Sequence, residues 1–275
     1  MRIAITAPST AITPDDAEAV QALAAMGYGE LELIFDPQCF ASHGHFAGDD
    51  ARRLKALVDM ANRSDIDAIW FAKGGYGACR IAAQAVAAMG PAARGKAFLG
   101  YSDQGNMLAA LYRDGFDHVA HGPMVSDINR DRGDDAILRA LDWLVSRSPS
   151  TLAPELRHGT RYAAFNLMTL SMLLGTELEP DLAGHMVIVE EVSEYLYAFD
   201  RAFFHVASNL AARGAAGMAL GRVSAVPEND RPFGMEAEEI ARYWCAKMGL
   251  IYGGRMNIGH DADNHVVPFG LHRAG

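Results

Sequence analysis

Four stretches of the chain bring together residue types that do chemistry. The first is Gly100-Tyr101-Ser102-Asp103. An apolar run, Ala97–Tyr101, leads into it and a helical pattern, Asn106–Arg113, follows. The serine hydroxyl therefore stands where a strand turns into a helix, among helix-start N–H groups. That context suits a nucleophile whose developing oxyanion needs backbone donors. Ser and Asp are also ordinary helix caps, and the spacing is not the G-x-S-x-G elbow. The second stretch is Lys73-Gly74-Gly75-Tyr76-Gly77, after a buried strand. Paired glycines allow positive φ and close approach of backbone to a ligand, which fits an oxyanion or phosphate cradle and equally a tight turn. The P-loop spacing is absent.

The third stretch is Val187-Ile188-Val189-Glu190-Glu191, with Glu194 close by. Acids at the end of an apolar strand mark its exit into solvent, or orient a histidine by fixing its tautomer. The fourth is Gly259-His260-Asp261-Ala262-Asp263-Asn264-His265. Two histidines five apart with acids between them superficially suggest a metal, but neither a helical H-x-x-x-H nor H-E-x-x-H occurs. Ser102, a strand-end glutamate and His260 follow one another in the order of a serine–histidine–glutamate triad. Geometry decides whether they meet.

Strand and helix patterns alternate over about the first 125 residues. Arg2–Thr6, Leu31–Phe35, Asp67–Phe71, Ala97–Tyr101 and His118–His121 read as strands. Helices are expected from Pro14 to about Met26, over Asp49–Asn62, Cys79–Met89 and Asn106–Arg113. Alternation of this kind predicts a parallel sheet with helices on both faces, flavodoxin- or Rossmann-like, with ligands outside the carboxyl ends of the strands. Gly74-Gly75 and Ser102 both follow strands and belong on that edge. Asp134–Arg147 reads as a helix, and Ser148–Arg157 is a polar connection. Beyond it lie Met186–Val189 and Gly217–Val223 as strands, and Phe199–Arg213 and Glu236–Met248 as helices. The expected division is residues 1–150, a connection over 151–165, and a second domain over 166–275.

Composition sets the outer limits. The 275 residues are 50% hydrophobic, enough for a packed core, and carry a formal charge of −10. An acidic chain of this kind argues against a nucleic-acid partner, though a local site can still be basic. The three cysteines, Cys39, Cys79 and Cys245, are far apart and form no framework or C-x-x-C motif. The start has one basic residue and a brief apolar stretch broken by Pro8, unlike a signal peptide. No run approaches the ~18 apolar residues that span a bilayer. These features predict a cytoplasmic protein without a membrane partner.

Together the motifs resemble those of the LD-carboxypeptidases (muramoyltetrapeptide carboxypeptidases), a family of serine peptidases. The resemblance runs nearly end to end. It includes Ala7-Pro8-Ser9, Phe46 to Arg53, Gly74-Gly75-Tyr76-Gly77 with Arg80, Gly100-Tyr101-Ser102-Asp103 and His121-Gly122-Pro123-Met124. It continues through Asn166-Leu167, Leu174-Gly175-Thr176, Glu190 to Glu194 with Tyr197 and Asp200-Arg201, Gly259-His260 and Pro268-Phe269-Gly270. It implies an N-terminal parallel α/β domain and a smaller C-terminal β-rich α+β domain. It also implies Ser102 as nucleophile, Glu190 as orienting acid and His260 as base and acid, with backbone N–H groups of Gly75 and Asp103 as oxyanion hole. No metal or cofactor is implied. The implied reaction removes the terminal D-alanine of a murein tetrapeptide during cytoplasmic wall recycling, by a homodimer. Lys73, Gly74, Arg80 and Tyr101 are candidates for holding substrate.

Three departures bear on substrate preference. Lys73 replaces the usual arginine and loses its planar fork. Ala164-Phe165 stand where Gly-Gly is usual, and Gln104-Gly105 replace an Ile-Thr-like pair. A related amide hydrolase acting on peptidyl-nucleotides is therefore an alternative. A nucleotide-binding module or kinase using the glycine turn is another, although Tyr76 stands where such kinases carry an acid. A non-catalytic ligand-binding protein is a third.

Overall fold

The computed structural model describes residues 1–273; the last two residues of the expected second domain lie outside the described residues. Elements of the first half alternate as expected: β1 (Arg2–Thr6), α1 (Pro14–Gly27), β2 (Glu32–Phe35), α2 (Asp50–Asn62), β3 (Ala68–Phe71), α3 (Ala82–Ala88), α4 (Pro91–Arg94), β4 (Ala97–Gly100), α5 (Gly105–Arg113), β5 (Val119–His121) and α6 (Gly133–Ser146). Local chemistry sets several boundaries. Thr13 and Asp16 form a reciprocal capping box with Pro14 at the first helical position of α1. Asp49 accepts from Arg52 N at 2.7 Å and starts α2. The helix expected over Cys79–Met89 is divided: a short 3-10 turn, Ala78–Arg80, precedes α3. Gly77 enters that turn at φ 135°, and the Ala78 N–H is drawn to the Asp103 carboxylate at 2.9 Å, so the regular helix starts later.

The second half contains β6 (Arg161–Asn166), α7 (Leu167–Leu173), β7 (His185–Val192), α8 (Leu196–Ala212), β8 (Gly217–Ser224), α9 (Ala237–Met248), β9 (Ile251–Arg255), β10 (Val267–Pro268) and β11 (Gly270–Leu271). Residues 161–165, expected in the connection, form most of β6. Alanines in β6 and the Gly253-Gly254 pair in β9 give neither strand a strong pattern of its own. Both exist because neighbouring strands pair with them.

Two sheets result. The first has the order β10-β5-β4-β3-β1-β2. Its five first-half strands are parallel, in the flavodoxin-like order. The second has the order β11-β6-β7-β8-β9, and β6 to β9 are parallel to one another. Helices α7, α8 and α9 make its crossovers, and β11 joins β6 antiparallel, so the second half is a mixed sheet with helices. The C-terminal segment returns to the first sheet, where Val267 pairs antiparallel with His121. Pro268 is tolerated because β10 is an edge strand.

A continuous apolar core joins the sheets through α5, α7 and β6, with Phe98, Met107, Phe165, Leu170 and Phe199 all buried in it. Phe165 packs on Phe269 with ring centroids 5.2 Å apart, and Phe269 on Tyr112 at 5.5 Å. Each such aromatic contributes about 1.5–3 kcal/mol by burial. The carboxyl ends of β4 and β7 are thereby fixed relative to each other. Among the described residues no helix is long and apolar enough to cross a membrane.

Candidate active site

Ser102 sits immediately beyond β4, at the start of a 3-10 turn, Ser102–Gln104, that runs into α5. Its φ is +59°, the left-handed region that a non-glycine residue occupies only when its surroundings hold it there. The surroundings are visible. Asp103, buried just behind it, accepts from Ser9 Oγ at 2.5 Å, from Ala78 N at 2.9 Å and from Asn106 Nδ2 at 3.2 Å. Burial raises the Asp103 pKa, against the pull of those donors. Gln104 Nε2 donates to Ser9 Oγ at 2.8 Å and to the Lys73 carbonyl at 2.9 Å. The departure at residue 104 thus ties the serine turn to both neighbouring loops.

The glycine turn after β3 lies against the serine. A Cβ on Gly74 would stand 2.9 Å from Ser102 Cβ, and one on Gly75, at φ +101°, 2.6 Å from Thr10 Cγ2. Thr10 Oγ1 donates to the Gly74 carbonyl at 2.6 Å. Arg53, fully buried, donates to the Pro8 carbonyl and, at 3.0 Å, to that of Gly77. The Ala7-Pro8-Ser9 motif and the second helix therefore serve to hold the glycine turn and the serine in register.

Glu190 and His260 come from the second half. Glu190 lies near the end of β7, opposite Asn166 of β6, and is completely buried. His260 Nδ1 is 2.6 Å from Glu190 Oε2, and Nε2 is 3.1 Å from Ser102 Oγ. A carboxylate only accepts, so Nδ1 carries the proton and Nε2 presents a lone pair to the serine hydroxyl, which donates. Burial alone would lower the His260 pKa; the charge of Glu190 and its hydrogen bond outweigh this and hold it above the ordinary histidine value. Glu191, next in the strand, does different work. It accepts from Asn166 Nδ2 at 2.7 Å and Met168 N at 2.8 Å, joining β7 to the start of α7.

The loop that carries His260 is clamped by residues without an obvious sequence pattern. Arg222 donates to Asp261 Oδ1 at 2.7 Å and also to Asn257. Asn264 Oδ1 accepts from Gly259 N at 3.1 Å and from His121 Nε2 at 3.0 Å, linking the loop to the first sheet. Burial lowers the His121 pKa to about 4. Asp261 and Asn264 flank His260 in sequence and were findable as loop-fixing side chains; Arg222 was not. His265 turns away, its Nδ1 2.7 Å from the Asp263 carbonyl. Among the described residues no group of three or more His, Cys, Asp or Glu side chains could hold a metal ion.

Tyr101 is buried, with its ring 4.8 Å from that of His260 and its hydroxyl donating to Asp127 Oδ1 at 2.7 Å. Lys73 is exposed, and Arg80 pairs with Asp50 at 2.8 Å. Neither lines the cavity of about 460 Å³ that opens beside Ser102. That cavity runs from Gly75, Tyr76 and Asn106 in the first half to Met168, Met172 and Glu177 in the second. Gly105 stands beside it; a Cβ there would be 3.3 Å from Phe165 Cδ1 and 3.2 Å from Thr169 Cγ2. The Gly105 and Phe165 departures therefore fit one another, the ring occupying space that a side chain at 105 would need.

A hydroxyl, an imidazole and a buried carboxylate in line, on two fused α/β sheets, have the layout of a serine hydrolase. Residues 3–122 match the N-terminal domain of LD-carboxypeptidases and residues 161–273 their C-terminal domain, and the chain belongs to that family. It is accordingly a carboxypeptidase. The murein tetrapeptide carboxypeptidase of Pseudomonas aeruginosa is 26% identical over 98% of this chain and 91% of its own. The muramoyltetrapeptide carboxypeptidase from Oxalobacter formigenes has the same fold, with a TM-score of 0.78 at 22% identity over 100% of this chain and 96% of that one. The microcin C7 self immunity protein MccF, solved in complex with glutamyl sulfamoyl guanosine, also shares the fold. Its TM-score is 0.78 at 15% identity, over 98% of this chain and 91% of that one.

Proposed function

We propose that the protein is a serine LD-carboxypeptidase that releases the terminal D-alanine of murein tetrapeptides through Ser102, His260 and Glu190. The observation that carries this reading is the unbroken contact from Glu190 through His260 to Ser102, at 2.6 and 3.1 Å. The proposed setting is cytoplasmic peptidoglycan recycling, with the chain acting as a homodimer. Residues 1–150 supply the nucleophile and the oxyanion donors, and residues 166–275 the acid and base.

In the proposed reaction His260 Nε2 takes the Ser102 proton as Oγ attacks the scissile carbonyl carbon. The tetrahedral oxyanion is held by the N–H groups of Gly75 and Asp103, each worth about 3–4 kcal/mol of transition-state stabilisation. Glu190 stabilises the imidazolium and keeps the ring in its tautomer. His260 then gives its proton to the departing amine, the C–N bond breaks and D-alanine leaves. A water molecule, deprotonated by the same nitrogen, attacks the acyl-serine and regenerates the hydroxyl.

The test is D-alanine release from a murein tetrapeptide by wild type and Ser102→Ala. The variant is expected to lose at least about 10³-fold in rate. Wild-type rates in the variant sink the assignment. An aminoacyl-sulfamoyl nucleotide belongs in the same assay, because the MccF fold is similar; preferential cleavage of that amide would move the substrate assignment away from murein.

A further inference from the structure

An aromatic ring lies against His260 in addition to its partners Glu190 and Ser102. The ring of Tyr101 stands 4.8 Å from the imidazole, centroid to centroid, at an interplanar angle of 58°. Tyr101 is buried, and so is Asp127, from the 3-10 turn Val125–Asn129 that follows β5. The Tyr101 hydroxyl donates to Asp127 Oδ1 at 2.7 Å and accepts from Arg130 Nη2 at 3.0 Å. Arg130 Nε donates to the same Asp127 oxygen at 2.6 Å, and Met124 N donates to the other at 2.8 Å. Hydroxyl, carboxylate and guanidinium thus satisfy one another in a closed set of hydrogen bonds. None of the three residues lines the cavity beside Ser102, so contact with a substrate there does not account for them.

A buried ion pair contributes little more to stability than apolar packing of the same volume. This one holds a ring in place. Tyr101 cannot turn or withdraw without breaking its bonds to two charged groups, Asp127 and Arg130. Glu190 and Ser102 hold only the two nitrogens of His260, and Tyr101 supplies a packing contact that they do not. We propose that Tyr101, locked by Asp127 and Arg130, is a positioning residue that keeps the His260 ring in line between Glu190 and Ser102, and that the Asp127–Arg130 pair keeps the charge beside that ring balanced. The inference rests on the carboxypeptidase reading above and adds to it residues that do not contact substrate.

The charges around the imidazole support the second half of this statement. Burial lowers the His260 pKa and Glu190 of β7 raises it; beyond these, Arg130 lowers it and Asp127 raises it, so the two offset each other. His121 of β5, whose ring also lies 5.4 Å from that of Tyr101, is held neutral by burial, and burial keeps the Tyr101 hydroxyl protonated. Asp261, next to His260 in its own loop, is paired with Arg222.

The experiment follows D-alanine release from a murein tetrapeptide against pH for wild type, Tyr101→Phe, Tyr101→Leu, Asp127→Asn and Arg130→Met, with circular dichroism to confirm folding. Y101L is expected to lose about 10-fold in kcat with KM changed by less than about 2-fold; Y101F, which keeps the ring, loses no more than about 3-fold. In D127N the unpaired Arg130 disfavours the imidazolium, and the acid limb of kcat/KM moves to lower pH. In R130M the unpaired Asp127 favours it, and the limb moves to higher pH, each by about 0.5–1 unit. Opposite movement of the two limbs is a result that general loosening of the fold does not produce. Limbs that stay in place or move the same way, or wild-type kcat in Y101L, overturn the inference while leaving the carboxypeptidase reading in place. Should D127N or R130M fail to fold, the tyrosine variants decide, and equal losses of kcat in Y101F and Y101L overturn it. Failure of wild type to release D-alanine, or undiminished release by Ser102→Ala, overturns the carboxypeptidase reading and this inference with it.

Discussion

Gly221 lies against Glu190, so closely that a Cβ on the glycine would stand 2.8 Å from the Glu190 Cβ and 2.7 Å from Ile258 Cγ1. The pairing of β7 with β8 shifts register at this point, Val189 facing Leu220 but Glu191 facing Val223. The bulge puts an extra residue into β8 where the buried carboxylate must reach His260. Gly221→Ala is therefore expected to displace Glu190 and the Ile258–His260 loop together. Activity on a tetrapeptide should fall at least about 10-fold, while the thermal midpoint drops by only a few degrees. Unchanged kcat/KM would show that the bulge has slack.

The pH profile reports the Glu190–His260 pair. In the proposed reaction His260 must be neutral to accept the serine proton, so kcat/KM is expected to rise as pH rises through its pKa. Because Glu190 holds that pKa above the ordinary value, the acid limb of wild type is expected above pH ~6.5. In Glu190→Gln the charge is gone and burial dominates, so the limb moves to lower pH. The rate falls about 10³- to 10⁴-fold as the tautomer is lost. A limb that stays in place in E190Q would count against the pairing.

Gly75→Ala tests the glycine turn. A methyl group at φ +101° is strained, and it meets Thr10 Cγ2 at 2.6 Å. The turn must move, carrying the Gly75 amide out of line with the Asp103 amide. A loss of about 10²- to 10³-fold in kcat with little change in KM is the expected pattern, since an oxyanion donor acts in the transition state. A pure KM effect would assign the turn to substrate binding instead.

His121 gives a stability signature. Its pKa is lowered to about 4 by burial, whereas an unfolded histidine titrates near 6.5. A depressed folded pKa means stability is fully present above the unfolded value and is lost as pH falls from about 6.5 towards 4. The loss amounts to about 2–3 kcal/mol by pH ~4.5. Urea midpoints at pH 7 and 4.5 should therefore converge in His121→Gln relative to wild type, the comparison being the drop within each protein. Equal drops in both would show that other groups dominate acid unfolding.

Much of the fold could be read from residue order because its cues are local. Thr13-Pro14-Asp15-Asp16 starts α1 through a capping box, and short apolar runs before glycine or serine mark β3 and β4. Strand β6 escaped because Tyr162-Ala163-Ala164-Phe165 has no alternation and no flanking turn that demands a strand; pairing with β7 makes it one. The strand directions within the second sheet are set at long range as well. Crossover topology depends on helices docking far from where they begin in sequence.

The sequence by itself determined which groups could do chemistry. It has one serine at a strand-to-helix turn, an acid at the end of a buried strand, and a histidine after a glycine, in that order, with glycines before them where a backbone must come close. Residue type alone does not separate Glu190 from Glu191, adjacent residues with the same charge, and only the motif resemblance singles out Glu190. The tertiary structure gives the two different contacts, because successive strand residues point to opposite faces: Glu190 reaches His260, and Glu191 accepts from Met168 N at the start of α7. Nor could sequence order supply the lining of the cavity, which is assembled from segments as far apart as Tyr76 and Glu177. The distance from His260 to Ser102 is set by a core that spans both sheets and by Arg222 and Asn264 gripping one loop. These are long-range contacts, and their energies depend on which surfaces meet once the chain has closed on itself.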